Sequence, residues 1–340
     1  MPERASGNVR AMNSPTGRAT AALTGLAIGD ALGMPTQAMS PQQIAEKYGV
    51  ITNFVASDGD QPIAPNTAAG TITDDTEQAL LVADLLIVGD GHIDALDFAD
   101  ALLAWEADVA ARGSLDLLGP STKAALQALS QGVPPTESGK NGTTNGAAMR
   151  VTPVGIANPP GPRLLAAVIE ASLVTHGTSL GLAGAAAVAG AVTAGIAGAS
   201  MPQALEYAVQ IARAAEAHGH WVAGASVPER FVALGQLAAE LSDEQFADYL
   251  RRVVGTALQT QESVVCALLI AQRFVQRPFD GLCLAASIGG DTDTIGCMAG
   301  AILGAVVGQE AWPAAAVQIV SEVNQIDFTA TAEALLSLRG

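Results

Sequence analysis

Two stretches of this chain crowd oxygen-bearing side chains immediately ahead of apolar runs. One reads "TITDDTEQAL", Thr71 to Leu80, and the other "SIGGDTDTIGC", Ser287 to Cys297. Only 14% of the 340 residues are charged, so acids this close together need a reason. Helix capping is one: Asp74 with Glu77, or Asp75 with Gln78, has capping-box spacing, and Thr292 or Asp293 would cap a helix beginning near Ile295. Capping, however, uses one side-chain oxygen per helix. Thr73, Asp74, Asp75, Asp291, Asp293 and Thr294 together offer far more. Should the two helix starts meet, four neighbouring carboxylates would repel one another or take up protons. Neither motif contains a lysine or arginine, which leaves a divalent cation, or two bridged ones, as the counter-charge. Ligation by carboxylate and hydroxyl oxygen alone suits Mg²⁺, with Mn²⁺ a second choice and zinc or copper disfavoured. A pair of such ions, about 3.5 to 4 Å apart, orients vicinal hydroxyls and lowers the pKa of a bound water.

The elements that must position these residues are helices. Ile295, Met298, Ala299, Ile302, Leu303 and Val306 recur at helical spacing along one face. Comparable faces run through 18–34, 76–89, 94–110, 163–176, 201–219, 230–241, 243–255 and 261–275. Alanine and leucine fill them, while alternating β-branched runs are nearly absent, so the expected fold is all-α. Two loops, about 53–71 and 130–145, are rich in Gly, Pro, Asn, Ser and Thr, and long loops in compact domains are often functional. The stretch 179–201 is uncharged and long enough to span a bilayer. Alanine and glycine dominate it, however, so its transfer energy is weak, and it reads as a helix at the centre of a globule. No repeat or low-complexity linker divides the chain. The expectation is one domain over 18–340 behind a flexible N-terminal tail, 1–17.

Sixteen lysines and arginines stand against 33 acids, for a formal charge of -17 and a pI near 4.4. Nucleic acid and anionic membrane are thereby disfavoured as partners. Cys266, Cys283 and Cys297 form no CxxC pair, which suits buried thiols in a reducing cytoplasm better than a disulfide framework. The first eighteen residues lack the apolar run of a secretory signal.

Five segments in order, "GLAIGDALGMPTQ", "ITDDTEQAL", "NGAAMRVTPVG", "THGTSLGLAGA" and "SIGGDTDTIGCMAGAILGA", resemble the recurring motifs of the ADP-ribosylglycohydrolase family. The matches span about 20–308. This resemblance implies an orthogonal all-α bundle around a binuclear magnesium or manganese centre in a central cleft, and hydrolysis of an N- or O-glycosidic bond at the anomeric carbon of a ribose. Carried over by motif, Thr73, Asp74 and Asp75 bind metal from one side, and Asp291, Asp293 and Thr294 from the other. In such a mechanism a metal-ligating carboxylate, Asp75 or Asp293, accepts a proton from water as positive charge develops on the sugar.

The same resemblance places Asp30 and His176 at the cleft, against the plainer readings of an exposed helix position and a hydrogen-bonded helix-end histidine. Asn145, Gly146, Ala147 and Met149 form a small-residue loop where backbone N–H groups reach phosphate or ribose, or else an ordinary tight turn. Gly119, Ser121 and Thr122 open a helix, suited to an anionic or nucleobase group and equally to an N-cap. Two departures stand out. Gln37 occupies a position where many family members carry glutamate, and an amide cannot act as a base; Val265 replaces a frequent proline. The leading expectation is hydrolysis of an ADP-ribosyl bond on a protein side chain or small conjugate. Hydrolysis of a smaller N-ribosyl compound such as a nucleoside, and non-catalytic binding of a ribosyl ligand, are the alternatives.

Overall fold

Serine, aspartate and proline set many of the helix starts. Ser14 accepts a hydrogen bond from the Gly17 N–H at 3.1 Å, with Pro15 in the first helical position. Ser40 with Gln43, and Ser242 with Gln245, form reciprocal capping boxes. Asp94 accepts from the N–H groups of Leu96 and Asp97. The computed structural model describes residues 14–112 and 118–340, and among these every regular element is helical. Two isolated β-bridges, Thr144 to Gln259 and Thr178 to His220, are the only extended pairings among the described residues.

At the centre lies Ser179–Ile196, the stretch with the composition of a membrane span. Its mean hydropathy is 1.7, and 94% of it is buried inside the protein. Helices Met201–Glu216, Pro162–His176, Thr260–Phe274 and Thr292–Val307 pack around it. Small side chains make such contacts short. Gly190 faces Ala208 and Ile211, and Gly195 faces the backbone of Ala305.

The closest packing joins Pro15–Gly33 to Thr292–Val307. Gly25, Gly29 and Gly33 run along one helix at four-residue spacing, and Gly296, Gly300 and Gly304 along the other. The helices are antiparallel: Gly25 meets Gly300, Gly29 meets Gly296, and Gly33 meets Thr292 and Asp293. A Cβ built on Gly29 would lie 2.0 Å from the Gly296 carbonyl oxygen. The two backbones therefore touch along a glycine seam, and the seam ends where Asp30 and Asp291 begin the site.

Several expectations from the sequence need adjustment. The tail over 1–17 falls largely outside the described residues, and residues 15–17 already belong to the first helix. The last acidic helix begins at Thr292 rather than near Ile295, and it is buried on all sides over 292–306 rather than on one face. Helices Pro41–Tyr48, Pro278–Ala285, Ala314–Asn324 and Phe328–Ser337 lie where no face was singled out, and the 130–145 loop holds one short helical turn, Pro135–Ser138. Cys266 and Cys297 are buried, whereas Cys283 is only partly so.

Candidate functional site

The two acidic motifs meet. Thr294 Oγ1 lies 3.4 Å from Asp75 Oδ2, joining residues 219 positions apart. Each motif opens a helix, with Thr73 and Asp291 at the N-cap positions of Asp74–Val88 and Thr292–Val307, yet neither side chain makes a capping bond. The capping box that the spacing allowed is absent as well. Glu77 accepts instead from Trp105 Nε1 at 2.7 Å and from both Arg112 amino groups at 3.0 and 2.9 Å.

Asp30 supplies the cap that Thr73 does not. From the last turn of Pro15–Gly33 it accepts the Thr73 N–H at 2.9 Å, the Thr76 N–H at 3.1 Å, and the hydroxyls of Thr73 and Thr76 at 2.8 and 2.5 Å. Asp30 thus does not face the cleft, as the resemblance implied it would, but is fully buried and orients Thr73. At the other start, the Asp291 N–H donates to Thr256 O at 2.8 Å. Gly289 and Gly290 bring the chain there with φ of +79° and +85°, and a Cβ on Gly290 would lie 2.4 Å from Thr256 O. Asn145 Nδ2 donates to Asp291 Oδ2 and to Ser263 Oγ, the latter at 3.0 Å.

Burial raises every carboxyl of this group above its ordinary range. Asp30 and Asp291 are each pushed to about 6, mainly by loss of solvent and partly countered by the hydrogen bonds they accept. Asp74, Asp75 and Asp293 rise well above the usual value, first through desolvation and then through the neighbouring carboxylates. Asp75 Oδ1 and Asp293 Oδ2 are buried without any hydrogen-bond partner. Among the described residues, no three Asp, Glu, His or Cys groups are gathered closely enough to form a metal site by themselves. The fit to a cation rests instead on donor chemistry: four acids and two threonine hydroxyls, all hard oxygen, with two oxygens buried and unpartnered. Such a set suits Mg²⁺ or Mn²⁺ and nothing soft.

Asp74, Asp291 and Thr294 reach the floor of a cleft of ≈ 210 Å³, whose walls include Gln37, Gly119, Thr122, Asn145, Gly146 and Met149. A second hollow of ≈ 340 Å³ adjoins it, sharing Gln37, Ile63, Leu258 and Asp291. The first hollow alone falls below the roughly 300 Å³ at which ligand pockets begin, so a larger ligand would extend into the second. Thr73, Asp75 and Asp293 are buried beneath the floor rather than on it. Gln37 stands beside Asp291, lining the same cleft, and helps hold its pKa down. Its Oε1 is buried and without a hydrogen-bond partner.

Four of the residues expected at the cleft do not line it, Asp30 among them, since it is fully buried against Thr73 and Thr76. Ala147 is buried in the wall. Ser121 Oγ accepts the Thr144 N–H at 3.4 Å and so braces the wall from behind. His176 is fully buried, its ring packed under the 145–146 turn: a Cβ on Gly146 would lie 2.9 Å from His176 Cε1. Gly146 is therefore glycine to admit a ring from behind, although it also borders the cleft. Sequence reasoning passed over Arg150, 1% exposed, stacked 4.8 Å from the Phe98 ring centroid and near enough to Asp74 for mutual attraction. Desolvation lowers its pKa to about 9. The residue stands inside "NGAAMR", but arginines are rarely buried and nothing local announces one.

The family model for ADP-ribosylglycohydrolase matches residues 12–340. The chain is 36% identical over 327 residues to the uncharacterized protein YegU of Escherichia coli, covering 95% of this chain and 98% of that one. It is 25% identical over 326 residues to the ADP-ribosyl-[dinitrogen reductase] glycohydrolase of Rhodospirillum rubrum, covering 95% and 97%. A solved structure of an ADP-ribosylglycohydrolase-related protein complex superposes with a TM-score of 0.68 at 24% identity, over 96% of this chain and 99% of that one. With an all-α fold, a cleft floored by paired acidic helix starts and a family match over nearly its whole length, this chain belongs to the ADP-ribosylglycohydrolase family.

Proposed function

We propose that this chain is a magnesium-dependent hydrolase that cleaves the glycosidic bond between an ADP-ribosyl group and a protein side chain or small conjugate. The observation that carries this reading is the contact of Thr294 with Asp75, which sets both acidic starts against the floor of one cleft. Thr73, Asp74, Asp75, Asp291, Asp293 and Thr294 would hold two Mg²⁺, or Mn²⁺ in their place. When bound, the ions supply positive charge for the ribose 2′ and 3′ hydroxyls and acidify water.

The protein's own groups do the rest. Asp30 fixes Thr73, and Asn145 fixes Asp291, so these two residues are oriented before substrate arrives. The proton of the attacking water is assigned to Asp75 or Asp293, the two acids that retain an unpartnered oxygen. Gln37 takes no proton, being an amide. Asp74→Ala and Asp291→Ala are each expected to abolish turnover of an ADP-ribosylated substrate. A rate equal to wild type in either variant would mean that these acids serve only the helix starts.

One observation favours a smaller substrate. Among the described residues, no lysine or arginine lines the cleft or the hollow beside it. A pyrophosphate would then rest on backbone N–H groups near Gly119 and Asn145 and on bound cation, whereas an N-ribosyl compound without phosphate needs neither. Calorimetric titration of ADP-ribose, ribose and simple nucleosides, with and without Mg²⁺, separates the two. Tight magnesium-dependent binding of ADP-ribose supports the leading reading, and preference for an unphosphorylated nucleoside overturns it.

A further inference from the structure

Behind the cleft wall runs a line of polar groups, three of them buried, that the hydrolytic reading leaves without a task. Arg150 donates from Nη1 to Gln78 Oε1 at 3.0 Å and from Nη2 to Thr175 Oγ1. Thr175 Oγ1 lies 2.8 Å from His176 Nδ1. On the far side of the ring, His176 Nε2 lies 3.0 Å from Thr144 Oγ1. Thr175 and His176 are fully buried, Arg150 nearly so, and Thr144 lines the cleft. The line therefore starts behind the acidic helix and ends at the cleft.

Its hydrogens have one consistent direction. A guanidinium can only donate, so Thr175 Oγ1 accepts from Arg150. The hydroxyl hydrogen of Thr175 then goes to its other neighbour, His176 Nδ1, and no further partner of Oγ1 is present among the described residues. With Nδ1 an acceptor, the neutral imidazole carries its proton on Nε2 and donates it to Thr144 Oγ1. Burial first, and the Arg150 charge second, hold the His176 pKa well below the ordinary value, so the ring stays neutral. Gly146 keeps it seated, since any larger residue there would collide with Cε1 and Nε2. Having accepted from the ring, Thr144 has its own hydrogen left to give.

We propose that Thr144 contacts the substrate, its hydroxyl held as a hydrogen-bond donor by the Arg150–Thr175–His176 chain and directed to an acceptor oxygen of the ribosyl ligand. Thr175 and His176 are positioning residues in this arrangement. The ligand half of the assignment rests on the ribosyl reading of the cleft; the direction of the chain does not.

Two measurements test it. In ¹⁵N-histidine spectra of the intact protein, His176 should show an unprotonated Nδ1 and a protonated Nε2, unchanged between about pH 6 and pH 8. An Nδ1–H tautomer, or titration within that range, would overturn the proposal. In calorimetry with Mg²⁺, Thr144→Val should weaken ligand binding about tenfold, as expected for one neutral hydrogen bond, while Thr144→Ser stays close to wild type. Loss for both ADP-ribose and ribose places the acceptor on the sugar; loss for ADP-ribose alone places it on phosphate. Wild-type affinity in Thr144→Val, alongside lost binding in Asp74→Ala, sinks the assignment and spares the hydrolytic reading. If wild type binds neither ligand, the ribosyl reading and the ligand half fail together, and the tautomer still decides the chain.

Discussion

The two acidic helix starts carry nearly the same residues but are held by different forces. The Asp74 start hangs on hydrogen bonds, with one carboxylate, Asp30, accepting four donors from Thr73 and Thr76. The Asp291 start adds contact to its hydrogen bonds: Asn145 and Thr256 O hold Asp291, and Thr292 Oγ1 donates to Gly33 O at 2.8 Å, while Gly33 lies against Thr292 and Asp293, and Gly290 against Thr256, at distances no side chain permits. Polar tethers lose strength in proportion to what is removed. Close-packed backbones have no such gradation, because interiors at this density yield little. The two halves therefore differ in how they answer substitution: a tether is lost bond by bond, whereas a side chain added at the seam meets backbone.

The sharpest way to break the comparison is at the seam. Gly29→Val places a carbon bearing two methyl groups against the Gly296 carbonyl, with that carbon 2.0 Å from the carbonyl oxygen. The helices must separate, and a loss of about 3 kcal/mol or more is expected from overpacking of this kind. Urea or thermal unfolding measures it. Stability within about 0.5 kcal/mol of wild type would show that the seam is looser than described and that contact does not hold the Asp291 start.

A second effect concerns the acids themselves. Mg²⁺ at about 100 times its Kd should stabilise the native protein by about 2.7 kcal/mol. Asp75→Asn and Asp293→Asn should lose most of that gain. Each should also make the metal-free protein more stable than wild type, because one member of a crowd of buried like charges is gone. Thermal shift with Mg²⁺ and with chelator reads both. A magnesium shift retained in both variants would remove these two residues from the cation site.

Third in size is the polar tether. Asp30→Ala leaves two buried N–H groups and two hydroxyls without their acceptor, at a cost of about 2 kcal/mol, and Asp30→Asn should lie between it and wild type. If Asp30→Ala costs nothing, the Asp74 start is held by something other than this carboxylate.

How much of this was legible from sequence follows the same division. Long apolar periods announced helices such as Asp74–Val88 and Thr260–Phe274, and the crowding of acids announced two oxygen-rich helix starts, because both signals are local. Asp30 as a cap for a helix 43 residues away was not local. Neither was the burial of Arg150, which depends on Phe98, Gln78 and Thr175 arriving from three other helices. His176 illustrates the limit: its pairing with Thr175 is visible in the chain, while its place behind Gly146 rather than in the cleft is a fact of packing. The glycines at four-residue spacing on both helices were present to be seen, but spacing alone does not say which helix a small-residue stripe will meet.

The smallest effect separates capping from tethering at Glu77. A capping-box glutamate would stabilise its own helix start whatever stood at Arg112. Here Glu77 instead receives both amino groups of Arg112 and the indole N–H of Trp105, tying the end of Ala95–Ala111 to the first turn of Asp74–Val88. Arg112 is half exposed, so the pair is worth less than about 1 kcal/mol even with two-point geometry. A double-mutant cycle of Glu77→Gln and Arg112→Ala should give a coupling of about 0.5 to 1 kcal/mol. Strict additivity, with the Glu77 substitution costing the same in both backgrounds, would return Glu77 to the role of a local cap. The Asp74 start would then draw on its own sequence as well as on Asp30, and the contrast between the two halves of the site would narrow to the glycines alone.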